Sequence, residues 1–128
     1  MAEPIIVNRN SGHGQPPHRI AAVGQSFEIY EWRGSGPEYM HVHHSDDEAW
    51  HVLEGTLTFK FIDGEAEAPA GTTVFVPAGV AHSFCDSKGS ARYLIILTPN
   101  LSRLIDELHL TPIAAHGEVM LKYDSAIV

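Results

Sequence analysis

The chain has 128 residues, with 8 Lys+Arg against 16 Asp+Glu and a formal net charge of −8. That length suits one domain with one sizeable core, and the charge has the wrong sign for partners whose phosphates must be neutralised, so nucleic acid and anionic membrane surfaces are excluded as expected partners. A single cysteine, Cys85, rules out an intramolecular disulfide and points to a reducing cytoplasm. No basic segment followed by an apolar run opens the chain, and no stretch nears the ~18 apolar residues of a membrane helix.

In chain order, Ile5-Ile6-Val7 reads as a short strand, and Asn8 to His18 (NRNSGHGQPPH) as a loop by its Gly, Pro, Ser and Asn content. Strands are then expected at Arg19–Val23, Phe27–Trp32, Glu38–His43, Glu48–Leu53 and Thr56–Ile62. Asp63-Gly64 is a hairpin signal. Further strands are expected at Glu65–Ala68, Thr72–Val76, Ala81–Cys85 and Arg92–Thr98, separated by Gly- and Pro-containing turns. After Pro99 the period changes. Leu101, Leu104, Ile105 and Leu108 form an i, i+3, i+4, i+7 stripe, so a helix is expected with Asn100 as its N-cap, packed on the sheet or on a second subunit. Gly117–Tyr123 reads as another short helix. Many short strands with turns every eight to twelve positions predict an all-β sandwich, barrel or jelly roll with a short helical C-terminal segment. The whole of 1–128 is taken as one domain, with a barrel core over about 19–98 and a helix and tail over 99–128.

Histidine stands out, with nine in the chain. His41 and His43 are two apart on an expected strand, so both imidazoles point from one face of the sheet. Glu48 opens the next strand, and a hairpin folding back there brings its carboxylate beside the two rings. Further on, Gly71 to Asp86 (GTTVFVPAGVAHSFCD) reads as strand, tight turn, strand, with His82 three residues after the turn. Three neutral imidazoles and one carboxylate make a ligand set for one divalent transition metal. On an ion preferring six ligands they leave about two positions for water, O₂ or substrate. Iron, manganese, nickel, cobalt, copper and zinc all tolerate the set.

These two segments resemble the signature motifs of the cupin family. The first is matched by His41-x-His43, four residues, Glu48, six residues and Gly55; its upstream glycine departs, with four residues between Gly36 and His41 and six between Gly34 and His41. The second is matched by Gly71, five residues, Pro77-x-Gly79, two residues and His82, with Asp86 where the family has Asn. The resemblance covers about 34–98. It implies a cupin (double-stranded β-helix, jelly-roll) barrel, selects Glu48 over Asp47 and sets His44 aside. Parity gives the same answer for His44 and His51, which face away from the expected site. Cys85 is expected to face away from His82, and His109 and His116 to lie beyond the barrel in solvent.

The wording HVHHSDDEAWHVLEG…VFVPAGVAHSF looks most like the small cupins grouped with quercetin dioxygenase. That likeness implies metal-dependent oxygen chemistry on a small organic substrate, with Glu48 taking a substrate proton as well as ligating. Tyr39 shares a face with His41 and His43, and its hydroxyl is placed to donate to an anion at the metal. Trp50, Val52 and Phe84 share the faces of the ligands and suit either a pocket wall or simple core. The same site also suits a metal-dependent isomerase, lyase or decarboxylase, or a non-catalytic small-molecule binder. A homodimer is expected, paired through the sheets, the N-terminal strand or the helical stripe.

Overall fold

A computed structural model of the chain describes residues 3–6 and 21–128. Ile5 and Ile6 carry no regular structure; Val7, the loop expected over 8–18, and residues 19 and 20 of the second expected strand lie outside the described residues. The strands are β1 (Ala21–Val23), β2 (Glu28–Arg33), β3 (His41–His43), β4 (Glu48–Glu54), β5 (Thr56–Phe61), β6 (Gly64–Pro69), β7 (Thr73–Val76), β8 (His82–Cys85) and β9 (Arg92–Leu97). Two helices follow, α1 (Pro99–His109) and α2 (His116–Lys122), and a last strand, β10 (Ser125–Ile127).

The strands form two five-stranded antiparallel sheets, ordered β1-β2-β9-β4-β7 and β10-β3-β8-β5-β6. This two-sheet arrangement bears out the all-β jelly-roll expectation, and the strand edges agree with the sequence reading to within a residue or two almost everywhere. The exception is β3. The expected strand over 38–43 pairs only from His41 onward. Along β4 the alternation is strict, with Glu48, Trp50 and Val52 buried and the residues between them partly exposed. Trp50, Val52, Leu57, Phe59 and Tyr93 are all fully buried between the sheets. Such large side chains dominate core energetics, at roughly 1.5–3 kcal/mol for each one removed from water.

Gly55 lets β4 turn into β5. Its φ is +72°, and a Cβ there would sit 2.8 Å from the Ala91 backbone, so any side chain meets both strain and a clash that backbone must relieve.

The helices close one end of the barrel. Leu101, Leu104 and Leu108 of α1 and Val119 and Met120 of α2 belong to the same buried cluster as the sheet residues. The stripe read from the sequence therefore packs on the barrel of its own chain. The expected N-cap is corrected: Thr98 caps α1 by accepting the Leu101 N–H at 3.2 Å. Asn100 instead donates to Asp46 and to the Tyr123 carbonyl, both at 2.9 Å, tying α1 to the acidic corner and to the end of α2. The strand β10 adds to the edge of β3 with Ser125 opposite His43 and Ile127 opposite His41. Nothing in its local pattern announced it. No helix among the described residues is long and apolar enough to cross a membrane.

Candidate metal centre

Register brings the histidines together. His41 and His43 leave one face of β3, and His82 at the start of β8 pairs directly with His41. Ring nitrogens of the three lie within 4.8 Å of one another, and all three residues are buried. Glu48 comes from the other sheet, and its Oε1 lies 3.3 Å from His43 Nε2 and 3.5 Å from His82 Nε2. All four residues selected from the sequence thus meet at one point inside the barrel.

The turns that deliver them are held by particular hydrogen bonds. The Pro77-Ala78-Gly79 turn before His82 has Gly79 at φ +89°. Its Gly79 N–H donates to the His43 carbonyl at 2.7 Å, which fixes the spacing between His43 and His82. The Asp47 carboxylate accepts the Ala78 N–H at 2.9 Å, so it braces this turn instead of joining the ligands. Asp86, where the family has Asn, accepts from the Gly89 and Ala91 N–H groups on separate oxygens, each at 3.0 Å. The departure from the motif is absorbed by the 86–91 loop and leaves His82 untouched.

The chemistry of the cluster follows from proton positions, assigned from hydrogen-bond partners. His82 Nδ1 lies 2.9 Å from the Val80 carbonyl, which can only accept, so Nδ1 carries the hydrogen and Nε2 presents a lone pair. His43 Nδ1 lies 2.7 Å from Ser125 Oγ, whose own hydroxyl donates to the Tyr123 carbonyl at 3.1 Å. Ser125 therefore accepts from His43 Nδ1, and His43 Nε2 also presents a lone pair. His41 Nδ1 points at the Tyr39 carbonyl at 3.4 Å, in the same sense. The lone pairs of His43 and His82 thus oppose a carboxylate. Glu48 Oε1 and His82 Nε2 are buried without a hydrogen-bond partner among the described residues. Such groups are costly unless a cation sits between them. The residues present fit a divalent metal, held by His41, His43, His82 and Glu48.

Burial by itself raises the Glu48 carboxyl, and hydrogen bonds from the His43 and His82 rings hold it down to about 2, a stabilisation that needs a proton or a metal cation between the rings and the carboxylate. Burial, with His82 and His43 beside it, lowers His41 to about 4. The set is therefore a carboxylate with a neutral His41 at neutral pH, the protonation states that ligation needs.

A cavity of about 950 Å³ opens from this cluster. Tyr39, Trp50 and Phe84 line it, as the parity of the sequence suggested, whereas Val52 is core. His116 departs from expectation. It is buried rather than solvated, with its Nε2 3.1 Å from the Leu108 carbonyl and 2.9 Å from the Thr111 carbonyl just past the end of α1. With Nε2 donating, His116 Nδ1 accepts from the Tyr39 hydroxyl at 2.8 Å. The Tyr39 proton is engaged there, and the phenol offers a lone pair to the cavity. His109, expected beyond the barrel, is exposed and stacks on Trp32 with ring centroids 5.5 Å apart. His44 is exposed, and His51 pairs across to Thr73 at 2.8 Å, so neither joins the centre. Ser125 and His116 are the contributors that sequence reasoning missed; their partners lie 82 and 77 residues away.

A family model described as "Cupin domain" matches residues 26–97. No curated protein matches the chain. Among solved structures, the chain is similar to an uncharacterized conserved protein with a double-stranded beta-helix domain from Klebsiella pneumoniae, at 16% identity and TM-score 0.56, covering 73% of this chain and 84% of that one. It is similar to a cupin-2 domain containing protein from Shewanella frigidimarina, at 25% identity and TM-score 0.52, covering 73% and 94%. It is also similar to KdgF from Halomonas sp., at 12% identity and TM-score 0.53, covering 61% and 74%.

Proposed function

The chain belongs to the cupin family, and on that premise we propose that it is a metal-dependent oxidoreductase of the dioxygenase kind, acting on a small organic substrate at the His41/His43/Glu48/His82 centre. The observation that carries this reading is the set of opposed, unpartnered lone pairs at the foot of a large cavity. A divalent ion held by His41, His43, His82 and Glu48 would supply Lewis-acid and redox chemistry there. Glu48 is the base, kept ionised by its histidine neighbours and within reach of a substrate hydroxyl at the centre. Tyr39, its own proton engaged by His116, offers a phenol lone pair to a second donor group of the substrate. The wall of Trp50 and Phe84 excludes water from the reacting group.

The protein is proposed to work as a cytoplasmic homodimer. Leu101, Leu104 and Leu108 are buried within their own chain, so such a dimer pairs through another surface. A single sedimenting species at the monomer mass would remove the dimer from the proposal.

The test is elemental analysis after expression in medium supplemented with one metal at a time, followed by O₂ uptake with a panel of phenols and diketones. One stoichiometric metal and substrate-dependent O₂ uptake are expected. Turnover that proceeds equally without O₂ would reassign the centre to isomerase or lyase chemistry. No metal under any condition would overturn the proposal.

A further inference from the structure

The cavity is much larger than a metal and its waters require. At about 950 Å³ it lies at the upper end for sites that enclose a drug-sized molecule. Its floor is the metal centre. Its far wall is built by the C-terminal helices, which present Leu101, Leu104, Ile105, Leu108 and Met120 to the same space, with Trp32 of β2 facing them. These helical residues lie beyond the matched family region of 26–97.

The wall is also charge-selective. Among the described residues that line the cavity there is no Lys and no Arg, while Glu38 and Asp106 both contribute. An anionic group on the substrate away from the metal would meet apolar surface and the Glu38 and Asp106 carboxylates, with no Lys or Arg to pair it and, from α1, only Ser102 and His109 as other polar neighbours. Two lining residues with a buried polar atom left unpartnered among the described residues, Glu48 and Trp50, stand at the metal centre. There the ligand set stands beside Trp50, whose buried indole N–H has no acceptor among the described residues and whose ring packs on His82 with centroids 5.7 Å apart.

We propose that the substrate is a molecule with one oxygen-donor head, seated at the metal and the Trp50 end, and an uncharged apolar tail of several carbons lying between α1, α2 and Trp32. This rests on the metal-centre reading for the head only; the tail depends on the helical wall alone. A phosphate or a second carboxylate carried on the tail is disfavoured by the same chemistry.

Three probes with one phenol head separate the terms: phenol, 4-hexylphenol and 6-(4-hydroxyphenyl)hexanoate. Binding is read from the fluorescence of Trp32 and Trp50, the protein's two tryptophans, both of which line the cavity. The full chain is titrated with and without one equivalent of zinc. Burying each methylene of the tail contributes about fourfold in affinity, so 4-hexylphenol is expected to bind at least 100-fold more tightly than phenol. The carboxylate-ended probe is expected to bind at least tenfold more weakly than 4-hexylphenol. Ile105→Lys, which places a cation in the wall, is expected to reverse that order; Ile113→Lys, at a lining residue already 76% exposed, serves if the first variant does not fold.

Equal affinity for phenol and 4-hexylphenol, or a carboxylate tail that binds as well as the alkyl one, would overturn the proposal. If the tail effect holds while zinc neither binds nor strengthens the head, the metal reading fails and the apolar-tail inference stands. If zinc binds but tail length has no effect, the converse holds.

Discussion

Replacing Ser125 with alanine separates the metal centre from the barrel that carries it. Ser125 is fully buried, accepts from His43 Nδ1 at 2.7 Å and donates to the Tyr123 carbonyl at 3.1 Å. Removing its oxygen leaves the Nδ1 hydrogen without an acceptor and lets the ring rotate or change tautomer, which would carry a hydrogen onto Nε2 and occupy the lone pair that ligates. Partners of this kind behind a ligating histidine are worth about 10–100-fold in metal affinity, or roughly 1.4–2.7 kcal/mol. The metal-free protein loses the buried hydrogen bond as well, at about 1–3 kcal/mol, so the fold is expected to weaken while persisting. Zinc affinity is measured by competition against a chromogenic chelator, with circular dichroism confirming that both proteins are folded. Ser45→Ala is the control. It removes the contact of Ser45 Oγ with Asp124 on the same C-terminal strap without touching His43, and its zinc affinity is expected to stay within about threefold of the parent. A folded Ser125→Ala protein with unchanged zinc affinity would refute the tautomer argument. An equal loss in both variants would assign the effect to the strap as a whole.

His43→Ala and His82→Ala are each expected to abolish stoichiometric metal by elemental analysis, whereas His44→Ala, at an exposed position, is expected to retain it; equal retention in all three would place the metal elsewhere. In the metal-free protein, His41 is lowered from 6.5 to about 4 by burial and by its histidine neighbours, so the unfolded chain binds a proton that the folded chain refuses. Stability is then complete above pH 6.5 and falls as pH drops toward 4, by up to about 3 kcal/mol; denaturant midpoints unchanged between pH 7.5 and 4.5 would contradict this. Asp86→Asn restores the family's residue but has one acceptor oxygen where the carboxylate uses two, for Gly89 and Ala91. A loss of about 1 kcal/mol is expected in urea unfolding, and a neutral or stabilising result would argue against the second hydrogen bond. Gly55→Ala forces a Cβ against the Ala91 backbone at φ +72° and is expected to cost at least about 2 kcal/mol, read as a drop in Tm of several degrees.

The strands and the four candidate ligands were legible because their signals are local. Alternation along Glu48–Leu53 is enough to put Glu48 and Trp50 on one face, and two residues of strand are enough to put His41 and His43 together. Turn residues mark where each strand ends, so strand edges followed from Gly and Pro even without knowing which strands pair. The β3 boundary was misplaced because Glu38 to Met40 carry a strand-like pattern but form no ladder; Met40 only accepts the Val128 N–H past the end of β10. Asn100 was misassigned as a cap because a better acceptor, Thr98, precedes Pro99, and because the Asn100 amide is drawn to Asp46, more than fifty residues earlier.

What this chain alone determined by its order of residues is the barrel, its turns and the ligand quartet, since each rests on contacts a few residues apart or on the family motifs that encode them. The tertiary structure decided the rest of the site. Ser125 behind His43, His116 behind Tyr39 and the helical wall over the cavity all join segments some fifty to eighty residues apart. No local period records such a meeting. A buried histidine at 116 reads like a solvated one until the carbonyls at the end of α1 arrive to accept its proton, and a serine at 125 is an ordinary tail residue until β10 pairs with β3.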